Sequence, residues 1–373
     1  MWPLSYRPFS KIIRKQNHLF IYQRYNVYVK DDNKMAKRVL LEDIAREVGV
    51  TKGLVSRALA GKYNVSDEMR DRINQKAVEL GYDFTKLRSK KADAKKCTLI
   101  ISKRILLKED YWQPIIRSVS ATLDRYNIML EYQIYDEDNL NKEFIAQLRE
   151  LRTNAFIMMH ENPLILVNGF KGIKKPVVIV DPKFFHNDDF LQMKFSNYDS
   201  IYIATKCLIE CGHKRLAFYG CDEHATSFRE RHEGFLACIN AFRNQGVKGY
   251  DIMFDNSELQ YGDHELLKTF LSDKEKNISA IVCANDIIAL NVYKAAYELG
   301  LRIPDDLSVT GFDDIKEGEY ARPPLTTFKV PRNEIGTEVG RYLINYFQNQ
   351  QLLYSQVVIR CDFVERSSVK CVK

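Results

Sequence analysis

The sequence predicts a small all-α helix-turn-helix unit followed by a larger α/β body of two doubly wound parallel-sheet subdomains. Three observations predict this. From residue 40 to 81 the apolar residues recur with helical spacing only, whereas from about residue 98 short apolar runs of strand length alternate with helical stretches. Between these regions lies "RSKKADAKK", Arg88–Lys96, a segment with no apolar face. Strands that are apolar on both faces and separated by helices belong to parallel sheets covered on both sides.

Residues 1–34 show no clear period and end in the polar run "KDDNK". Met35-Ala36-Lys37 reads as a natural start, so we expect 1–34 to be an upstream extension with little stable structure. Residues 35–82 then form the helical head, 83–96 a basic linker or hinge, and 97–373 the two-lobed body.

In "LEDIAREVGVTKGLVSRALAG", Leu41–Gly61, Ile44, Ala45 and Val48 form one helical face, and Gly49 ends that helix in a left-handed turn. Thr51 caps a second helix whose inner face is Leu54, Val55 and Leu59. A small residue lets the helices cross closely, and the glycine permits the turn. That is the geometry of a helix-turn-helix. "VSDEMRDRINQKAVELGY" supplies a third helix, with Ser66 as N-cap and Met69, Ile73, Ala77 and Leu80 inward. Lys52, Gly53, Ser56 and Arg57 face outward on the second helix. Arg57 suits the bidentate edge of a guanine and Lys52 a base or phosphate. Thr51, Ser56 and the helix N-terminus suit phosphates.

In the body, "TLIIS", "AFIMM", "PVVIVD", "RLAFYG", "SAIVCAND" and "LSVTGFDD" are the strand-like runs, separated by helical patterns such as Tyr111–Tyr126 and Glu230–Phe242. Ligands of open parallel sheets bind beyond the carboxyl ends of the strands. Hydrogen-bonding groups stand at those ends here: Asp181, Asn285 with Asp286, and Asp313 with Asp314. Arg229 and Arg231 open a helix after "LAFYG", and Tyr111, Trp112 and Phe228 supply aromatic faces. Carboxylates, an amide and guanidinium groups around aromatic rings suit a polyhydroxylated ring. Asp286 is expected to cap the following helix and Asp314 to face solvent.

Composition excludes several classes. The chain of 373 residues is 45% hydrophobic and 28% charged, enough for a sizeable core, and no apolar run approaches the roughly 20 residues of a membrane span. The N-terminus lacks the apolar core and small-residue site of a secretion signal, and eight cysteines without such a signal read as reduced thiols in the cytoplasm. Residues 1–34 carry 7 Lys/Arg against 2 Asp/Glu, and residues 35–96 carry 15 against 9, while the whole chain has a net charge of only +7. A basic front on a mildly acidic body suits a polyanion partner. No acid–base pair or phosphate-cradling glycine loop argues for catalysis, and nothing calls for a cofactor. Cys207, Cys211 and His213 in "CLIECGH" have no second ligand pair at metal spacing, so the cysteines read as buried thiols.

Beyond these patterns, residues 40–82 resemble the headpiece of the lactose-repressor (LacI/GalR) family of bacterial transcriptional regulators. "LIECGHKRLAFYG", "SFRERHEGF", "CANDIIALNVYKAAYELGLRIPDDLSVTGFDD", "PPLTTFKVPRNEIG" and "VERSSV" follow in that family's order and spacing, so the resemblance covers roughly residues 38–369. It implies a periplasmic-binding-protein-like sensor with an effector between its lobes, Arg229 or Arg231, Asn285 and Asp313 lining the cleft. It implies a repressor, acting as a homodimer on a near-palindromic DNA operator, with a sugar-like effector. The family's tetramer-forming tail has no counterpart after "VERSSV", which favours a dimer. One departure stands out. Phe84 and Thr85 occupy the place of the family's Pro-Asn pair, and Arg88 and Lys91 fall near its alanine and minor-groove leucine. A charged residue cannot serve as an apolar wedge. Arg88 is instead expected on the DNA backbone, with steep salt dependence. The alternatives are a stand-alone sugar-binding protein, which would have a secretion signal and no helix-turn-helix, and a DNA-binding regulator controlled by a protein co-effector, which would lack the cleft's Arg and Asp.

Overall fold

The computed structural model describes residues 39–59, 65–82, 95–107, 109–136, 138–184, 190–223, 225–255, 262–349 and 355–372. The N-terminal extension, Arg88 and the expected linker up to residue 94 lie outside them. The body's first strand already includes Lys96, which the sequence reading assigned to the linker.

The head consists of α1 (Leu41–Val48), α2 (Lys52–Leu59) and α3 (Asp67–Glu79). Gly49 takes φ 74°, and its N–H bonds to Ala45 O, which turns the chain from α1 into α2. Thr51 Oγ1 accepts from Leu54 N and Ser66 Oγ from Met69 N, the two caps expected from the sequence. Ile44, Val55, Ile73 and Ala77 are wholly buried and join the three helices into one small core.

The first lobe contains β1 (Lys96–Ser102), α4 (Lys103–Leu106), α5 (Glu109–Asp124), β2 (Met129–Tyr135), α6 (Lys142–Glu150), β3 (Ala155–Met159), α7 (Leu164–Phe170), β4 (Val177–Val180) and β5 (Leu191–Phe195). The second contains α8 (Asn197–Glu210), β6 (Arg215–Gly220), α9 (Thr226–Phe242), β7 (Lys248–Met253), α10 (His264–Ser272), β8 (Ala280–Cys283), α11 (Asp286–Glu298), β9 (Ser308–Thr310), α12 (Lys316–Tyr320) and β10 (Thr327–Lys329). The chain then returns to the first lobe with α13 (Arg332–Asn349) and β11 (Gln356–Ile359), and finally to the second with β12 (Asp362–Val364).

The larger sheet has the order β11-β5-β4-β3-β1-β2 and the smaller β7-β6-β8-β9, with every pairing parallel. β10 and β12 form a separate antiparallel ribbon. Both sheets are doubly wound, as the alternating pattern predicts. Three chain segments join the lobes, and the first and third are bonded side by side: Ser196 N donates to Ile359 O at 2.9 Å, and Cys361 N to Ser196 Oγ at 3.0 Å. On the return to the first lobe, α13 lies against α5 so closely that a Cβ on Gly336 would stand 2.4 Å from Ile115 O.

The cysteine reading needs one correction. Cys207 is a free, buried thiol, but Cys211 is joined to Cys371 in a disulfide. The last residues run back over the second lobe, where Val372 N donates to Cys211 O at 2.8 Å, and this brings together two sulfurs 160 residues apart in sequence. Among the described residues no helix is long and apolar enough to cross a membrane.

Candidate functional site: an interlobe cleft and a helical head

Backbone strain marks the cleft. His160 after β3, Asp181 after β4 and Asp313 after β9 have φ of 54°, 47° and 123°. Non-glycine residues rarely hold such angles unless their surroundings impose them, and they cluster at binding sites. All three follow the carboxyl ends of strands, two in the first lobe and one in the second.

Arg231, on α9, is the cation at the centre, with only 3% of its surface exposed. Its Nε donates to Asn197 Oδ1 at 3.0 Å and its Nη1 to Ala284 O at 2.7 Å, while Nη2 stands 3.9 Å from Asp313 Oδ1. The guanidinium lies 3.7 Å over the Phe312 ring and 5.4 Å over that of Phe228. Arg332, at the start of α13, reaches back from the first lobe: its Nη2 donates to Asp313 O at 2.7 Å, and its guanidinium stacks 4.7 Å over Tyr111. Trp112 packs edge-on against Tyr111 and at a tilt of 39° against His160, whose Nδ1 lies 2.9 Å from Asp181 O.

Burial raises both carboxyls. Asp181 is pushed up to about 6 by desolvation, against the pull of Arg231, and Asp313 to about 6 by desolvation, against Arg231 and Arg332. Each carboxyl is thus poised near neutrality and better ionised once a hydrogen-bond donor arrives. Desolvation, together with Asp181 and Asp313, also raises the Tyr111 hydroxyl well above its ordinary value. The lobes meet beside this cluster through Thr226 N, which donates to Lys183 O at 2.7 Å, and through an ion pair between Lys194 and Glu230.

The expected residues are therefore only partly gathered. Asp181, Arg231, Asp313, Trp112 and Phe228 come together. Asn285 stands at the same strand-end level but spends its Oδ1 on Ile288 N as the cap of α11. Asp286, expected to be that cap, instead holds Ile315 N at 2.9 Å and Thr327 Oγ1 at 2.6 Å. Asp314, expected in solvent, pairs with Arg366 at 2.6 Å. Arg229 is not brought in: its side chain is 49% exposed and lies 3.9 Å from Glu233, because two residues on a helix point about 200° apart. Arg332 and His160 were missed. Both sit where a strand or crossover ends, and only their meeting with Asp313 and Asp181 in space marks them.

On the head, Thr51, Lys52, Gly53 and Arg57 are exposed and Ser56 is half-buried. Lys52 forms an ion pair with Glu42 of α1. Both side chains of that pair are largely exposed, so the lysine can exchange partners at little cost.

Residues 40–83 match the family model "Bacterial regulatory proteins, lacI family", and residues 205–369 match "Periplasmic binding protein-like domain". The chain belongs to the lacI family. Among curated members it is 27% identical to the HTH-type transcriptional repressor PurR of Haemophilus influenzae, over 89% of this chain and 99% of that one. It is 25% identical to the HTH-type transcriptional repressor CytR of Escherichia coli, over 91% of this chain and 98% of that one. Solved structures share the lacI-family fold. A lac repressor dimer bound to operator and the anti-inducer ONPF superposes with TM-score 0.60 at 20% identity, covering 90% of this chain and 100% of that one. A transcriptional regulator CelR–cellobiose complex superposes with TM-score 0.60 at 22% identity, covering 89% and 100%. This lacI-family chain is accordingly a DNA-binding transcriptional repressor and not an enzyme.

Proposed function

We propose that this repressor works in the cytoplasm as a homodimer, that its paired heads read the two halves of a near-palindromic operator, and that a small sugar-like effector held between the lobes sets its affinity for DNA. The observation that carries the effector is the meeting of Asp181 and Asp313, from opposite lobes, with Arg231 and aromatic walls. Ring hydroxyls donate to the carboxylates, the guanidinium orients a ring oxygen, and Trp112 and Phe228 take the C–H face. Asn285 offers its amide nitrogen from the second lobe. Arg229 stands outside this set. Relatives in structure have been captured with cellobiose and with ribose, which supports a sugar for this cleft.

On the DNA side, Arg57 reads base edges and Thr51, Lys52 and Ser56 hold phosphates, with Gly53 allowing close approach. Arg88 is assigned to the backbone from sequence alone. One head makes few base contacts, so useful affinity needs two linked copies. The coupling required between effector and DNA is only about 1–3 kcal/mol.

The test is a panel of mono- and disaccharides, with nucleobases for comparison, screened by thermal shift on the intact protein. A sugar is expected to raise the melting temperature of the native chain and not that of Asp313→Ala. A ligand that stabilises both proteins equally would place the effector elsewhere, and stabilisation by nucleobases alone would overturn the sugar assignment.

A further inference from the structure

The first lobe's parallel sheet has two ends. Its carboxyl ends build the cleft, and its amino ends form the opposite rim, where the chain arriving from the head enters at Lys95. Backbone and side-chain bonds tie this rim into one surface. Lys95 O accepts from Met129 N at 2.9 Å, Lys96 N donates to Asn154 Oδ1 at 2.9 Å, and Lys175 Nζ reaches Leu151 O at 2.9 Å. Arg149 Nη1, in the last turn of α6, donates to Gly169 O in the last turn of α7.

The rim is basic although the body as a whole is not. Arg125, Arg149, Arg152, Lys171 and Lys174 are exposed there, against the exposed acids Asp124 and Glu150. Among the described residues, a further acid at this rim, Glu131, is already paired with Lys96. Beyond residue 96 the chain carries 34 Lys/Arg and 38 Asp/Glu, so a random patch of this size would be neutral or slightly acidic. These cations lie at the edge of the body that adjoins the linker.

We propose that this rim is a second DNA-contacting surface, which holds backbone phosphates of the same duplex just outside the half-site read by the head. The inference rests on the DNA-binding reading of the head. Three features favour a duplex as occupant. Its charge is complementary, the rim continues a basic chain segment leading from the head, and the tether is short. Residues 83–94 can span at most about 40 Å, so a head seated on DNA keeps the rim close to the flanking backbone. The sequence "DFTKLRSKKADA" that makes up this tether offers charge in place of the family's apolar wedge. Phosphate contacts made by the body would supply affinity that a kinked operator would otherwise provide.

The test compares the intact protein with the variant Arg152→Gln/Lys171→Gln/Lys174→Gln, using fluorescence anisotropy on a labelled mixed-sequence duplex of about 40 base pairs between about 50 and 200 mM salt. A control variant, Arg243→Gln/Lys248→Gln/Lys274→Gln, removes the same charge from exposed positions of the second lobe. Each lost phosphate contact removes about 0.9 from the slope of log affinity against log salt, so the rim variant, which loses three cations from each protomer of the dimer, is expected to lose up to about 5 from that slope and the control little. Far-UV circular dichroism and melting temperature should match the native chain for both variants. An unchanged slope in the rim variant, or an equal loss in the control, would overturn the proposal. If the native protein itself bound duplex without salt dependence, the reading of the head would fail with it.

Discussion

Arg231 is held by two hydrogen bonds and two aromatic faces before any ligand arrives, so it is a preorganised cation. Truncating it leaves Asp181 and Asp313 buried without that positive neighbour, and Arg231→Met should raise both carboxyls further and abolish the effector response. The free protein's carboxyls near 6 also set a pH dependence. A sugar that donates to ionised Asp181 and Asp313 binds better as pH rises from 5 to 7, and its affinity levels off above that. At pH 5 about nine-tenths of a group titrating at 6 is protonated, so affinity measured by calorimetry should fall about tenfold or more from its pH 7 value. Stability of the effector-free protein runs the other way. Asp286, pushed up to about 7 by burial and by Asp313, binds its proton more tightly folded than unfolded. Asp181 and Asp313 add to this, so the contribution of these groups to stability grows as pH falls from about 7 towards 4. The Asp286 carboxyl nevertheless satisfies Ile315 N and Thr327 Oγ1, and Asp286→Ala should cost about 2–4 kcal/mol in denaturant unfolding at pH 7. An unchanged unfolding midpoint would show that those two groups find other partners.

Elements differ in how openly the sequence declares them. β1, β3, β4, β6 and β8 sit inside their sheets, covered on both sides, and therefore read as continuous apolar runs. β2 and β7 are edge strands with one exposed face, so "MLEYQIY" and "KGYDIM" mix polar and apolar residues and carry no such run. β10 and β12 span three residues each, too few to show a period. The site followed the same logic. Asp181 and Asp313 were legible because they end recognisable strands, whereas Arg332 depends on a crossover that only folding reveals. Helix packing offers a prediction at this scale. Gly336 and Gly340 lie one turn apart on α13, and a Cβ at either would collide with α5, 2.4 Å from Ile115 O or 2.6 Å from Thr122. Gly336→Val should therefore destabilise the first lobe by about 3 kcal/mol or more, and the head should keep its own melting behaviour. In the head, Ser66→Ala removes the cap of α3 and should cost about 1 kcal/mol.

At the scale of the whole molecule, the lobes are joined by three strands of chain and by contacts around the cleft, so anything bound there acts on both. Lys194–Glu230 and Arg332–Asp313 cross between lobes, and a ligand that bridges Asp181 and Asp313 competes with or reinforces them. Differential affinity for two lobe arrangements is what lets a small molecule alter the spacing of the heads of a dimer. The most direct measurement is selection of genomic DNA fragments by the intact protein at modest ionic strength, followed by footprinting of the enriched fragments. Enriched fragments should share a near-palindrome whose halves lie about one helical turn apart or a multiple of it. Arg57→Ala should bind duplex but lose that preference. Recovery of fragments no different from random competitor, with and without the sugar panel, would contradict the account.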